Sequence, residues 1–413
     1  MNQRLSISQF QKQMMAEHYL RAAEYKKEGK PVVYVTATFP VEIVRAFEPD
    51  IAIVYPENHA VNLIVNGMAE ELAEIAASRK SIDKMGCSYE LVNTGYLLST
   101  CFSGDADTGS RFRKVPCLPA PDILLSCNNQ CEIVAEWFQN LSRMFGGIPF
   151  SVINVGNRYD GAVDRSRIQY VRKQIEDVIR LLEQKTKTKL DPDKLLEIAE
   201  RSNKATALWR EYLDFGTRIP SPMTVFDGFF HMAAIVSERG KEIAVDYYRM
   251  LVSETKEKIV AGKSAVENEM HRLLWDNLAT WFNFGHLKKY LGERNIAVVG
   301  STYLDVWKNE LDTSACEPLL DSMAASYCSM YTNLTIAQRI SLWKEMVTKY
   351  QAKGILFHNN KSCHTFSRLQ GQLAEALKKE FGEAFITILF DGDMGLKERF
   401  QKHRFETAIE TYF

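Results

Sequence analysis

The sequence predicts an α/β protein: doubly wound parallel sheets in two domains, joined by a helical middle. Three observations predict it. Short apolar runs alternate with amphipathic helical stretches, the rhythm of parallel βαβ units. The middle third keeps the helical period but carries no strand signals. At 413 residues the chain exceeds one ordinary core, so two domains are the default.

Residues 7–30 have amphipathic helical periodicity, stopped by Gly29 and Pro31. Residues 32–35 read as a buried strand, and Phe39-Pro40 opens a helix over 41–47. A second strand covers 51–55, followed by Pro56-Glu57-Asn58 as a loop and one helix over 60–79. Residues 122–126 form the third strand, 132–144 a helix and 150–155 the fourth strand. From 164 to about 292 the pattern is helical, interrupted by Ile219-Pro220-Ser221-Pro222. Strands over 295–300, 354–358 and 385–390 restore the alternation. The expected organisation is a helical segment 1–30, an α/β domain 31–160, a helical middle 161–290 and a second α/β domain 291–413.

Apolar residues at 46% and charged residues at 25% are globular values. A net charge of −1 argues against a nucleic-acid partner, which would be met by a basic face. The first residues lack a signal-peptide core, and no apolar run is long enough to cross a bilayer. The expected setting is therefore cytoplasmic, without a membrane partner. Eight cysteines in such a chain point to metal binding or catalysis wherever they cluster, rather than to disulfides.

Cys87, Cys131 and Cys363 each sit in a polar, turn-forming stretch, the last two just after strand-like runs. Open α/β sheets bind ligands at strand C-termini. Three thiolates gathered there hold three corners of a 4Fe-4S cube and leave the fourth iron open to substrate. Their spacing is unlike the compact ferredoxin run, and a zinc site would need a fourth protein ligand or a water. Cys101, Cys117, Cys316 and Cys328 have no such context and read as packing.

Other candidates lie after the strands. Thr36 and Thr38 flank Ala37 in a strand-to-helix turn with Thr38 as its cap. Glu57 follows the second strand, either as a solvated loop residue or as a partly desolvated general acid/base. Asn128 and Asn129 either build the turn before Cys131 or donate hydrogen bonds to sulfurs or substrate. Trp275, Trp281, Phe282 and Phe284 read as core rather than as an acyl channel.

Several motifs recur in one order: Gly29-Lys30-Pro31-Val32, Tyr55-Pro56-Glu57-Asn58, Pro119-Ala120-Pro121-Asp122, Asn128-Asn129-Gln130-Cys131, Ser221-Pro222-Met223, Ser362-Cys363 and Asp391-Gly392-Asp393. With them the chain resembles the (R)-2-hydroxyacyl-CoA dehydratases, whose wider family includes the ATP-dependent benzoyl-CoA reductases. It is similar to the substrate-binding subunit of the 2-hydroxyisocaproyl-CoA type. The resemblance implies two flavodoxin-like domains with the cluster in the cleft between them, held by Cys87, Cys131 and Cys363. It also implies an acyl-CoA substrate, a homologous second subunit in a heterodimer, and a separate ATP-dependent iron–sulfur activator. No flavin or nicotinamide is expected, and no Walker-type P-loop occurs.

The implied reaction adds one electron to the thioester carbonyl. The resulting ketyl radical anion expels the 2-hydroxyl and acidifies the β-proton, giving an enoyl-CoA. The alternatives are a reductase of aromatic acyl-CoA and a non-catalytic electron-transfer subunit. Ala37 departs from the serine that the family often carries, so Thr36 or Thr38 is expected to supply the hydroxyl. His364, Lys361 and Leu396-Lys397-Glu398 also depart from the family's pattern.

Overall fold

The computed structural model describes residues 6–80, 82–102, 112, 115, 118–156 and 163–413. Cys117 lies outside the described residues. The first sheet is formed by β1 (Val32–Val35), β2 (Ala52–Val54), β3 (Ile123–Cys127) and β4 (Phe150–Ile153), in the order β2-β1-β3-β4. The second is formed by β5 (His271–Asp276), β6 (Ile296–Ser301), β7 (Gly354–Asn360) and β8 (Ile386–Gly392), in the order β6-β5-β7-β8. Every pairing is parallel. The two sheets thus share one winding, with the chain reversing direction between the first and third strand of each. That reversal opens a crevice beyond the strand C-termini, the usual ligand position of such sheets.

β1, β2 and β3 are buried at every residue, as β-branched and aliphatic strands covered on both faces must be. The helix Ile7–Lys27 closes over this sheet, started by a capping box between Ser6 and Gln9. Long middle helices, Arg165–Thr186, Pro192–Asp214 and Glu242–Val260, pack into the same apolar core. That core runs without a break from Val32–Val35 to Trp275 and Phe390 of the second sheet. No helix among the described residues is long and apolar enough to cross a membrane.

Three local expectations are corrected. The helix expected over 60–79 is two, Pro56–Val65 and Ala69–Lys80. Gly67, at φ +75°, ends the first with N–H bonds from Gly67 to Ile64 O and from Met68 to Leu63 O, a glycine-terminated helix end. Pro56-Glu57-Asn58 is not a loop but the first turn of that helix, with Pro56 near N1. Finally, β5 lies inside the stretch read as helical. Its sequence, His271–Asp276, carries a buried Arg272 that breaks the apolar run. Arg272 is satisfied by the carbonyls of Tyr350 and Arg218, at 2.8 and 2.9 Å, and by Glu269 at 2.5 Å. Those partners are far away in sequence or outside the strand, so periodicity alone could not announce it.

Candidate functional site

Each of the three cysteines stands at a helix N-terminus. Cys87 is the N-cap of the helix Ser88–Thr100, Cys131 of Glu132–Met144 and Cys363 of His364–Ser367. Cys131 and Cys363 follow β3 and β7, on the C-terminal edges of the two sheets. Burial pushes all three thiols up, Cys363 to about 11. The N–H groups three residues on, of Glu90, Val134 and Phe366, work the other way and favour the thiolates. The thiols also raise one another: Cys363 acts on Cys87, and both act on Cys131. The fold therefore brings all three within mutual electrostatic reach. Among the described residues, no group of three or more His, Cys, Asp or Glu is arranged to hold a metal ion.

Glu57 is buried, with 4% exposure, which excludes the solvated-loop reading. The Ala37 N–H donates to Oε2, and Gln130 Nε2 donates to Oε1 at 2.9 Å. Burial raises its carboxyl pKa, and these two donors partly offset the rise. Gln130 comes from the turn that carries Cys131, so Glu57 is tied to that turn directly. Gln130 was not singled out by sequence reasoning, although it sits in the same motif.

The hydroxyls of Thr36 and Thr38 point elsewhere. Each stands 3.3 Å from Sγ of Cys127, a buried thiol that burial pushes up to about 11 and that these hydroxyls partly relieve. Thr38 lines a small cavity of about 70 Å³ with Glu42, Arg239 and Tyr327. Thr36 and Thr38 lie in the turn after β1, where both hydroxyls reach Cys127 of β3, whereas Ala37 between them lines the larger cavity. Asn128 serves the turn, accepting from Val155 N–H and donating to Asn154 Oδ1, both at 2.9 Å. Asn129 is buried; its Nδ2 donates to Met330 Sδ at 2.7 Å, and its Oδ1 has no partner among the described residues.

The larger cavity measures about 470 Å³. Its polar end is Glu57, Ala37, Tyr89 and Tyr303, and its walls are mostly apolar, including Val61, Phe229 and Phe284. Such a volume holds a ligand group of moderate size. Trp281 donates to Tyr89 Oη at 2.5 Å, fixing that phenol at the cavity's end. Glu57 acts electrostatically on Tyr89, Tyr303 and Cys363, so the polar end lies beside the cysteines. The aromatic set divides: Trp281 and Phe284 line the cavity, Trp275 is wholly buried core, and Phe282 packs on Phe400. Tyr89 and Tyr303 carry no local signal; the fold alone makes them neighbours of Glu57.

The family model for the 2-hydroxyglutaryl-CoA dehydratase D-component matches residues 36–413. The chain is 31% identical to the (R)-2-hydroxyisocaproyl-CoA dehydratase alpha subunit of Clostridioides difficile, over 96% of this chain and 93% of that subunit. It is 28% identical to the (R)-phenyllactyl-CoA dehydratase alpha subunit of Clostridium sporogenes, over 97% and 95%. It is 27% identical to a benzoyl-CoA reductase subunit of Thauera aromatica, over 98% and 93%. A family match over nearly the whole length, on a chain with this paired α/β fold, places it plainly: the chain belongs to the 2-hydroxyglutaryl-CoA dehydratase D-component family.

Proposed function

We propose that this chain is the substrate-binding subunit of a lyase that removes water from an (R)-2-hydroxyacyl-CoA to give an enoyl-CoA, with a 4Fe-4S cluster on Cys87, Cys131 and Cys363. One observation carries the reading: three helix-capping cysteines lie within electrostatic reach of one another, and the buried carboxyl of Glu57, which lines an apolar cavity, acts on one of them, Cys363. Thiols in mutual electrostatic reach are what a shared iron–sulfur group on three cysteines requires.

When bound, the cluster would supply Lewis acidity and one-electron chemistry at an iron that no cysteine of this chain occupies. The chain's own residues do the rest. The apolar walls take the acyl group and exclude water. Glu57, whose carboxyl pKa burial raises, holds or moves a proton at its Oε atoms. Tyr89 and Tyr303 present phenols to the same end of the cavity. The relatives' designation as single subunits of larger enzymes supports a partner subunit, and we extend this to a homologous heterodimer partner and an ATP-dependent activator.

A reductase of aromatic acyl-CoA is the second reading, favoured by the similarity to the benzoyl-CoA reductase subunit and by Phe229, Trp281 and Phe284 in the cavity. Anaerobic purification with iron and sulfide analysis tests the cluster. Cys87→Ala, Cys131→Ala and Cys363→Ala should each lose most of the iron, and Cys101→Ala should keep it. Retention in all four variants ends the assignment. ATP consumed per product separates the reactions: catalytic use means dehydratase, stoichiometric use means reductase.

A further inference from the structure

Two of the three cysteines are flanked by serines that meet across the two halves of the molecule. Ser88 follows Cys87 and Ser362 precedes Cys363, and their Oγ atoms stand 2.6 Å apart. Both hydroxyls donate to one carboxylate, Ser88 to Asp393 Oδ1 at 2.6 Å and Ser362 to Oδ2. The N–H groups of Gly395 and Leu396 reach the same Oδ1 at 2.7 and 2.8 Å. The 391–393 motif therefore does not cap the last helix; that N-cap is Gln401, and Asp393 is turned inward. A Cβ built on Gly395 would stand 2.7 Å from the Ser88 Cβ, so the Asp393 turn lies directly against the start of the Cys87 helix.

Arg399 completes the set. Its Nη1 donates to Asp393 Oδ2 at 2.9 Å, to Ser362 Oγ at 2.8 Å and to the Gly86 carbonyl at 3.2 Å. One guanidinium thus touches the residue before Cys87 and the residue before Cys363. Asp393 is fully buried and the Arg399 side chain is 7% exposed. Nε and Nη2 of Arg399 are buried without a partner among the described residues. Burying such a pair is costly in desolvation, and apolar residues of equal volume often serve stability as well. Its contribution is better sought in geometry and local charge.

We infer that Asp393 and Arg399 form a positioning clamp, which fixes the spacing of Cys87 and Cys363 and sets the charge felt by an iron–sulfur group bound there. The clamp rests on the cluster reading for its redox part and on geometry alone for its spacing part. Neither residue is a ligand; both act through Gly86, Ser88 and Ser362. The sign of each charge follows from electrostatics. Asp393 disfavours negative charge at Cys363, and Arg399, paired with Asp393 at 2.9 Å, carries the opposite sign. Adding an electron adds negative charge, so the anion lowers a bound cluster's reduction potential and the cation raises it.

The test uses the full chain with its partner, reconstituted anaerobically. Asp393→Asn should move the midpoint potential up, Arg399→Gln should move it down, and the double variant should return close to wild type. A structural role alone predicts lost iron in every variant, with an unmoved potential for what remains; that result overturns the charge assignment. Arg399→Gln strands a buried carboxylate and risks misfolding, in which case Asp393→Asn and the double variant carry the comparison. Spacing is read in iron-free protein. A short bis-maleimide should bridge Cys87 and Cys363 in wild type, and several-fold less in Ser88→Ala/Ser362→Ala, as counted by peptide mass. Equal bridging overturns the clamp. A wild-type chain that never loads iron sinks the cluster reading, while the bridging yields still judge the clamp.

Discussion

Gln130 donates its Nε2 hydrogen to Oε1 of Glu57 at 2.9 Å, joining the carboxyl at the cavity's end to the turn that carries Cys131. The backbone N–H of Ala37 takes the other carboxyl oxygen. A group placed so is neither solvated nor free to turn. It is a carboxyl with a raised pKa and a fixed aim.

Glu57→Gln should therefore keep iron content and acyl-CoA affinity while slowing turnover by about 10²–10⁴-fold, the usual worth of a general acid/base. Gln matches the shape and cannot titrate. Turnover within a few-fold of wild type, measured with iron content unchanged, would remove Glu57 from the chemistry.

Gln130→Leu removes a donor that favours the ionised carboxyl, so the Glu57 pKa should rise further. The limb of the pH–rate profile that Glu57→Gln abolishes should move to higher pH in Gln130→Leu. A profile that stays in place would mean the hydrogen bond only positions the side chain.

Val61 lines the cavity, and Val61→Phe narrows it. KM for a bulky acyl-CoA should rise roughly 10-fold or more, with a smaller effect on a short acyl chain, since pocket fit distinguishes substrates on that scale. An equal effect on both would mean that the acyl group lies elsewhere.

His358 governs an acid limit. It is fully buried, donates through Nδ1 to the Leu278 carbonyl at 2.8 Å and stacks on Phe390. Burial lowers its pKa to about 4. The folded imidazole thus stays neutral while the unfolded one takes a proton near pH 6.5, so stability is full above pH 6.5 and is lost as pH falls toward 4. The loss is on the order of 3 kcal/mol if the whole shift is realised. Chemical denaturation at pH 7.5 and pH 5 should show most of it, and His358→Gln should lessen the difference, the remainder coming from His231, whose pKa burial also lowers to about 4.

The proposed radical chemistry requires that water and oxygen be kept out. Co-expression with the homologous subunit should give a stable heterodimer on size exclusion. Full activity from this chain as a monomer would refute that assembly.

The sequence by itself determined the sheet-and-helix alternation, because β1, β3 and β7 are continuous apolar runs whose burial is local information. It also marked Cys131, Cys363 and Glu57, because residues after such runs stand at strand ends, and Cys87 by its polar turn context. Tertiary structure decided the rest. Arg272 hides β5 because the carbonyls that satisfy it come from distant segments. Thr36 and Thr38 turn to Cys127 because the turn after β1 folds against the end of β3, a contact between segments about ninety residues apart. Tyr89, Tyr303 and Trp281 share one cavity, and Ser88 meets Ser362, only because the first and last parts of the chain fold against each other. A short-range period encodes which face of an element is buried; it carries no record of which remote residue will be pressed against it.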